Sequence, residues 1–392
     1  MKNASMNLLQ GFCLTVLSLS LLYCSSSDAP GQTSEEGLPA PAAAPENDAP
    51  TVLRTAFADD FLVGAAIAPK HIDNVGMRGK RLIMREYNTI TPENIMKWKV
   101  IHPEPGVFNW QAPDDYVKFG EDNNMFIVGH TLVWHTQLAD HIKEMTDADE
   151  LRAAMKTHID SVAGRYAGRI DAWDVVNEAL NEDGTMRESV FYRVLGKDYM
   201  AEAFKLAATA AGPTTELYYN DYDMWRGPKR DGAIRMLNHM RANGARIDGV
   251  GMQGHHALVA PTIDTLERAI EAYAEAGYKV MITELDVSVL PNPWDLKGAE
   301  VNQRFENSPT MNPYPRGLPD SVQIALADRY EDLFKLFLKH SENIKRVTFW
   351  GVNDGSSWLN NWPIKGRTNY PLLFDREYEP KAAYDRVMSL KK

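Results

Sequence analysis

Beyond Thr51 the chain is a succession of eight short apolar runs, each followed by a longer stretch. The runs fall at 61–66, 87–91, 126–133, 171–176, 217–219, 249–253, 280–283 and 347–350. Near-continuous apolar runs of this length, without alternation, suit parallel strands buried on both faces. Between them, stretches such as 149–166, 202–211, 265–276 and 322–340 carry apolar residues at helical spacing. Repeated strand–helix units point to the α/β class and to a single (β/α)8 TIM barrel over 51–392. A length of 392 residues would otherwise suggest two or three domains, but barrels exceed that prior as single units. No internal repeat and no interdomain linker interrupts 51–392. One irregular segment, 290–320, follows the seventh run and is rich in Pro and Asn; loops that long are usually either functional or disordered.

The first fifty residues follow different rules. Lys2 precedes an apolar stretch whose uninterrupted part, 11–23, is thirteen residues. That is short of the roughly twenty needed to span a bilayer, so 1–24 is expected to be a secretory signal. Leu21-Leu22-Tyr23-Cys24, followed by Ser25-Ser26-Ser27-Asp28, resembles a bacterial lipoprotein signal in which Cys24 is lipidated. Tyr23 departs from that pattern, since a small residue usually precedes the Cys, and a plain cleaved signal is the rival. Residues 25–50 hold five Pro and five acidic residues with no basic or aromatic one. Such a stretch cannot bury enough apolar surface to order itself, and a flexible linker is expected. The expected location is therefore outside the cytoplasm: an outer-membrane or cell-surface lipoprotein, otherwise a secreted or periplasmic protein. Membrane contact would run only through Cys24.

Both cysteines, Cys13 and Cys24, lie upstream of the linker. Thiol nucleophiles and Cys-ligated zinc or iron–sulfur sites are thereby excluded from 51–392. The chain has 42 basic and 53 acidic residues, a net charge of −11, which argues against a nucleic-acid partner.

In a barrel, function is sought at the C-terminal ends of strands. The fourth run ends Val175-Val176-Asn177-Glu178, and the seventh ends Thr283-Glu284. Paired carboxylates at one barrel mouth are what glycosidic-bond hydrolysis requires. One protonates the leaving oxygen; the other attacks the anomeric carbon or activates water. A single Glu at a strand end is more often part of an ion pair, but two of them with Asn177 alongside favour catalysis. Gly249 to Gly254 fits G-x-G-x-x-G, yet it occupies a strand rather than following one, and Pro261 cuts short any receiving helix. His130 with His135, and His255 with His256, lack an H-E-x-x-H context, so no metal and no cofactor is expected.

Beyond these residues the chain resembles glycoside hydrolase family 10, the endo-β-1,4-xylanases. The matching stretches are 88–98, 129–137, 174–179, 219–222, 251–255, 282–286, 350–352 with 357–358, 371–375 and 380–381. They occur in family order, and their combination is specific where any one alone is weak. The resemblance implies a retaining double displacement with Glu178 as acid/base and Glu284 as nucleophile, about 5–5.5 Å apart. It implies that His255 and Asp286 orient the nucleophile. Glu93, Asn94, Lys97, His130, Trp134 and Gln137 match contacts to non-reducing-side sugars. Asn177 and Gln253 match positions beside the reacting sugar; Tyr222 is either a platform on the leaving-group side or a buried hydroxyl with a backbone partner. Trp350 and Trp358 match aromatics that crowd the space of a C5 hydroxymethyl and so favour xylose over glucose. Asp223 stands where the family commonly has Asn, which leaves the leaving-group contacts open. Trp98, Trp110 and Trp173 are expected in the core, and Trp225, Trp294 and Trp362 at a rim or loop. The implied partner is xylan or a xylo-oligosaccharide, met by a monomer. A β-1,4-glucanase or mixed-specificity barrel and a non-catalytic binder are the competing functions, the second disfavoured because both carboxylates are present.

Overall fold

The computed structural model describes residues 51–73 and 77–391. The signal and linker expected over 1–50, with Cys24, lie outside the described residues.

The apolar runs become strands β1 (Leu62–Ile67), β2 (Thr89–Pro92), β3 (Phe126–Trp134), β4 (Ala172–Asn177), β5 (Glu216–Asp221), β6 (Gly249–Met252), β7 (His255–Ala257), β8 (Lys279–Ser288) and β9 (Ile344–Phe349). All pairings are parallel and, closure of the barrel apart, join strands adjacent in sequence, except that β6 pairs β5 and β8 while β7 pairs β8 alone. β1 meets β9 on its other side, and β6 pairs β8 to complete the circle. The expected (β/α)8 barrel is the fold. Its sixth stave is broken: β6 stops at Met252 and β7 resumes at His255, with Gly254 between them at φ +87°. That conformation is open to glycine and strained for other residues.

The helices match the amphipathic stretches to within a few residues. Ala148–Arg165 starts at an Asp147 cap that accepts from Asp149 N and Glu150 N, and Ile263–Glu275 at a Thr262 cap that accepts from Thr265 N; both satisfy amides that lack a partner in the first turn. Trp173 and Trp98 are buried and Trp110 is half-buried, so these three sit in or against the core. No helix among the described residues is long and apolar enough to cross a membrane.

After β8 the chain runs from Val289 to Pro319 without a helix or strand before Asp320–Lys339 begins. It is sewn to the last loop: Arg367 Nη1 donates to Pro291 O at 2.9 Å, Thr368 N to Asn312 Oδ1 at 2.9 Å, and Tyr370 Oη to Tyr314 O at 2.9 Å. The irregular segment is thus an ordered part of the barrel mouth.

Candidate active site

The strand ends converge on a cleft of about 290 Å³. Glu93, Asn94, Lys97, His130, Trp134, Gln137, Asn177, Glu178, Gln253, His255, Glu284, Trp350 and Trp358 all line it. Every residue in that set was expected from sequence. Asp286 lies just behind.

Parallel pairing explains how residues far apart in sequence meet. Glu284 and Asp286 are two apart on β8 and therefore share a face. β7 lies alongside with His255 in register with Asp286. The imidazole bridges the two carboxylates, with Nδ1 at 3.0 Å from Asp286 Oδ1 and Nε2 at 3.3 Å from Glu284 Oε2. Trp358 Nε1 donates to the other Asp286 oxygen, and Asn220 Nδ2 donates to Glu284 Oε1 at 2.7 Å. Both oxygens of Glu284 are therefore held.

Glu178 leaves β4 at φ +56°, in the left-handed region. That region is uncommon for a residue with a side chain and persists where the surroundings over-determine it. Its Oε2 accepts from Trp134 Nε1 at 2.8 Å and its Oε1 from Gln253 Nε2 at 3.0 Å. Asn177 Oδ1 accepts from Asn220 Nδ2 at 3.0 Å and from Gln253 Nε2 at 3.5 Å. A chain of three amides thus links the two carboxyl groups.

The two carboxyls titrate in opposite directions. Burial raises Glu178, with Asp221 and Glu284 adding to it, against His135 and the Gln253 hydrogen bond. Burial would also raise Glu284, but the His255 hydrogen bond and the fields of His130, His255 and Lys97 outweigh it and hold it low. His255 itself is pushed up to about 10; burial opposes this, and Asp286 and Glu284 overcome it. Lys97 is buried and lowered by that burial, partly countered by Glu284, Glu93 and Glu178. Its Nζ donates to Asn94 Oδ1 at 3.0 Å and lies 4.9 Å from the Trp134 ring centre. One carboxyl biased towards its protonated form beside one biased towards its ionised form is the arrangement for paired acid and nucleophile chemistry. Among the described residues, the cluster with metal-ligand spacing is Glu267, Glu271 and His340. It is not at the cleft, and Glu267 already pairs Lys339 and His340.

A family model, Glycosyl hydrolase family 10, matches residues 52–390.

The chain belongs to glycosyl hydrolase family 10.

Among its relatives, endo-1,4-beta-xylanase A of Xylanibacter ruminicola is 40% identical over 89% of this chain and 96% of its own length. Beta-1,4-xylanase of Dictyoglomus thermophilum is 36% identical over 86% of this chain and 90% of its own. A solved GH10 endoxylanase retrieved from sugarcane soil metagenome superposes with a TM-score of 0.84 at 45% identity, covering 86% of this chain and 99% of that one.

One expected contact of this family 10 chain is not in the cleft. Tyr222 is buried, its hydroxyl accepting from Arg187 Nη2 at 2.8 Å and donating to Glu182 Oε1 at 2.8 Å. Its ring packs in a cluster with Ala299, Leu359 and Trp362, so the 289–319 segment covers the face that a platform would expose. Ala299, Val301, Arg304 and Trp362 line the cleft instead. Of the other two tryptophans placed at a rim or loop, Trp294 is 96% exposed and Trp225 is half-buried against the core. Sequence reasoning also missed Asn220, which lies between a matched Tyr and a matched Asp but drew no role. Its neighbour Gly251 falls in the G-x-G-x-x-G pattern and in the matching stretch 251–255, but neither gives it a role. A Cβ at Gly251 would stand 2.2 Å from Asn220 Oδ1. That glycine makes room for the amide that holds Glu284.

Proposed function

We propose that this family 10 chain is an endo-acting retaining β-1,4-xylanase in which Glu284 is the nucleophile and Glu178 the acid/base. The observation that carries the roles is the opposite displacement of two buried carboxyls at one cleft, Glu178 up and Glu284 down. In the first step the Glu284 carboxylate attacks the anomeric carbon, the bond to the leaving oxygen breaks, and Glu178 gives that oxygen its proton. The product is a glycosyl ester on Glu284. Esterification removes the negative charge of Glu284, one of the fields that raise Glu178. Glu178, now a carboxylate, is left suited to take a proton from water. The water oxygen attacks the anomeric carbon, Glu284 departs, and configuration is retained.

Asn177 and Gln253 sit beside the reacting sugar, and Glu93, Asn94, Lys97, His130, Trp134 and Gln137 bind the non-reducing side. Trp350, packed edge-on against His130 at 5.4 Å, and Trp358, stacked on Trp362 at 4.4 Å, form walls that disfavour a hydroxymethyl group. Export of the barrel through residues 1–24, with a lipid anchor on Cys24, completes the proposal.

The test is hydrolysis of xylan against carboxymethylcellulose by wild type and Glu284→Ala. Wild type is expected to thin xylan solutions rapidly and release β-configured reducing ends, with little action on carboxymethylcellulose. Glu284→Ala should fold and be inactive; undiminished turnover would overturn the nucleophile assignment.

A further inference from the structure

The segment after β8 crosses the barrel mouth and ends up holding the region around Glu178. Gly298, at φ +51°, lies so close over Tyr222 that a Cβ there would be 2.3 Å from the ring. Two residues on, Glu300 turns inward. Its Oε2 accepts from Arg187 Nη1 at 3.2 Å and from His135 Nε2 at 3.4 Å. Its Oε1 accepts from the backbone and side-chain amides of Asn302 at 3.2 and 2.8 Å. The His135 hydrogen bond, with the fields of His135 and Arg187 and the Asn302 amide, outweighs burial and lowers Glu300 to about 2.

Both partners of Glu300 adjoin Glu178. Arg187 Nε donates to the main-chain carbonyl of Glu178 at 3.1 Å, and Arg187 Nη2 to Leu180 O at 3.2 Å, bracketing the turn on which Glu178 sits. His135 directly follows Trp134, whose indole N–H holds the Glu178 carboxyl. The turn is the left-handed one at φ +56°, a conformation that needs external restraint. Glu300 is not among the residues that line the cleft; its carboxylate faces Arg187 and His135.

We propose that Glu300 is a positioning residue for proton transfer: by pairing Arg187 and His135 at once, it fixes the strand-end turn that aims the Glu178 carboxyl at the leaving oxygen. This rests on Glu178 being the acid/base. It makes a residue of the irregular 289–319 segment, 122 positions along the chain from Glu178, a determinant of acid catalysis.

The experiment uses aryl β-xylobiosides whose phenols range from strongly to weakly acidic, with wild type, Glu300→Gln and Glu178→Ala. A strongly acidic phenol leaves without a proton; a weakly acidic one needs the acid. Glu300→Gln is expected to lose about tenfold in kcat/KM on the least acidic phenol, part of the roughly 10²–10⁴-fold that general acid catalysis supplies. On the most acidic phenol it should stay within about twofold, so the dependence on leaving-group pKa steepens. Glu178→Ala should show the same selectivity in stronger form. A uniform loss across the series in Glu300→Gln, or no loss, overturns the proposal, since a loop staple alone has no reason to select among phenols. If Glu178→Ala itself shows no selectivity, the acid/base assignment fails and the Glu300 proposal with it. Should Glu300→Gln not fold, Glu300→Asp, which shortens the reach to Arg187 and His135 and leaves both of them intact, is judged by the same two outcomes.

Discussion

The Trp358 indole N–H donates to Asp286 Oδ2 at 2.8 Å. An aromatic that lines the cleft is therefore also the terminus of a chain of hydrogen bonds that runs through Asp286 and His255 to Glu284. Cleft shape and the charge of Glu284 are joined in one side chain.

Replacing Trp358 by Phe keeps most of the wall and removes the bond. A lost hydrogen bond to a charged group is worth about 1.5–3 kcal/mol, so kcat/KM on xylan is expected to fall roughly tenfold to a hundredfold. Discrimination against carboxymethylcellulose should survive in Trp358→Phe and weaken in Trp358→Ala. Equal kinetics in wild type and Trp358→Phe would show that the chain of hydrogen bonds carries no energy.

The opposite displacements of the two carboxyls set the pH profile. With Glu284 as the proposed nucleophile, needed ionised, activity is expected to rise as pH climbs through its value, which lies below the ordinary 4.5. With Glu178 as the proposed acid, needed protonated, activity is expected to fall as pH climbs through its value, which lies above 4.5. Gln253 donates to the Glu178 carboxylate and favours its charged form. In Gln253→Ala the alkaline limb of kcat/KM should therefore move upward. The acidic limb should stay in place. A downward move of the alkaline limb would contradict the assignment of Glu178.

For Cys24 the expected outcome is a change of fraction. In a bacterial host, full-length protein should partition with membranes, and Cys24→Ala should release it to the soluble fraction. A wild type already soluble would leave a plain signal in place of the lipoprotein one.

Much of the fold was legible because parallel strands in a barrel are apolar on both faces and leave a dense signal. The runs at 126–133 and 171–176 locate β3 and β4 within a residue or so. The sixth stave was the exception, since its break at Gln253–Gly254 depends on one backbone angle. Glu178 and Glu284 were legible because a charged residue closing an apolar run stands out. Tyr222 was not, because its exposure depends on a segment roughly 75 residues away that folds over it. Asn220 and Glu300 were hidden for a related reason. Asn220 meets Glu284 across 64 positions, and Glu300 meets Arg187 across 113. Contacts of that range are made by barrel closure and leave no local pattern.

Gly251 has a consequence for how this sequence can drift. Alanine is the smallest possible replacement, and even its methyl would stand 2.2 Å from Asn220 Oδ1 and 2.9 Å from Thr283 Cγ2. No substitution at 251 is smaller than the one that already collides. The position is an isolated point in sequence space, reachable only by variants that give up the Asn220 bond to Glu284 or rebuild that support with a simultaneous second change.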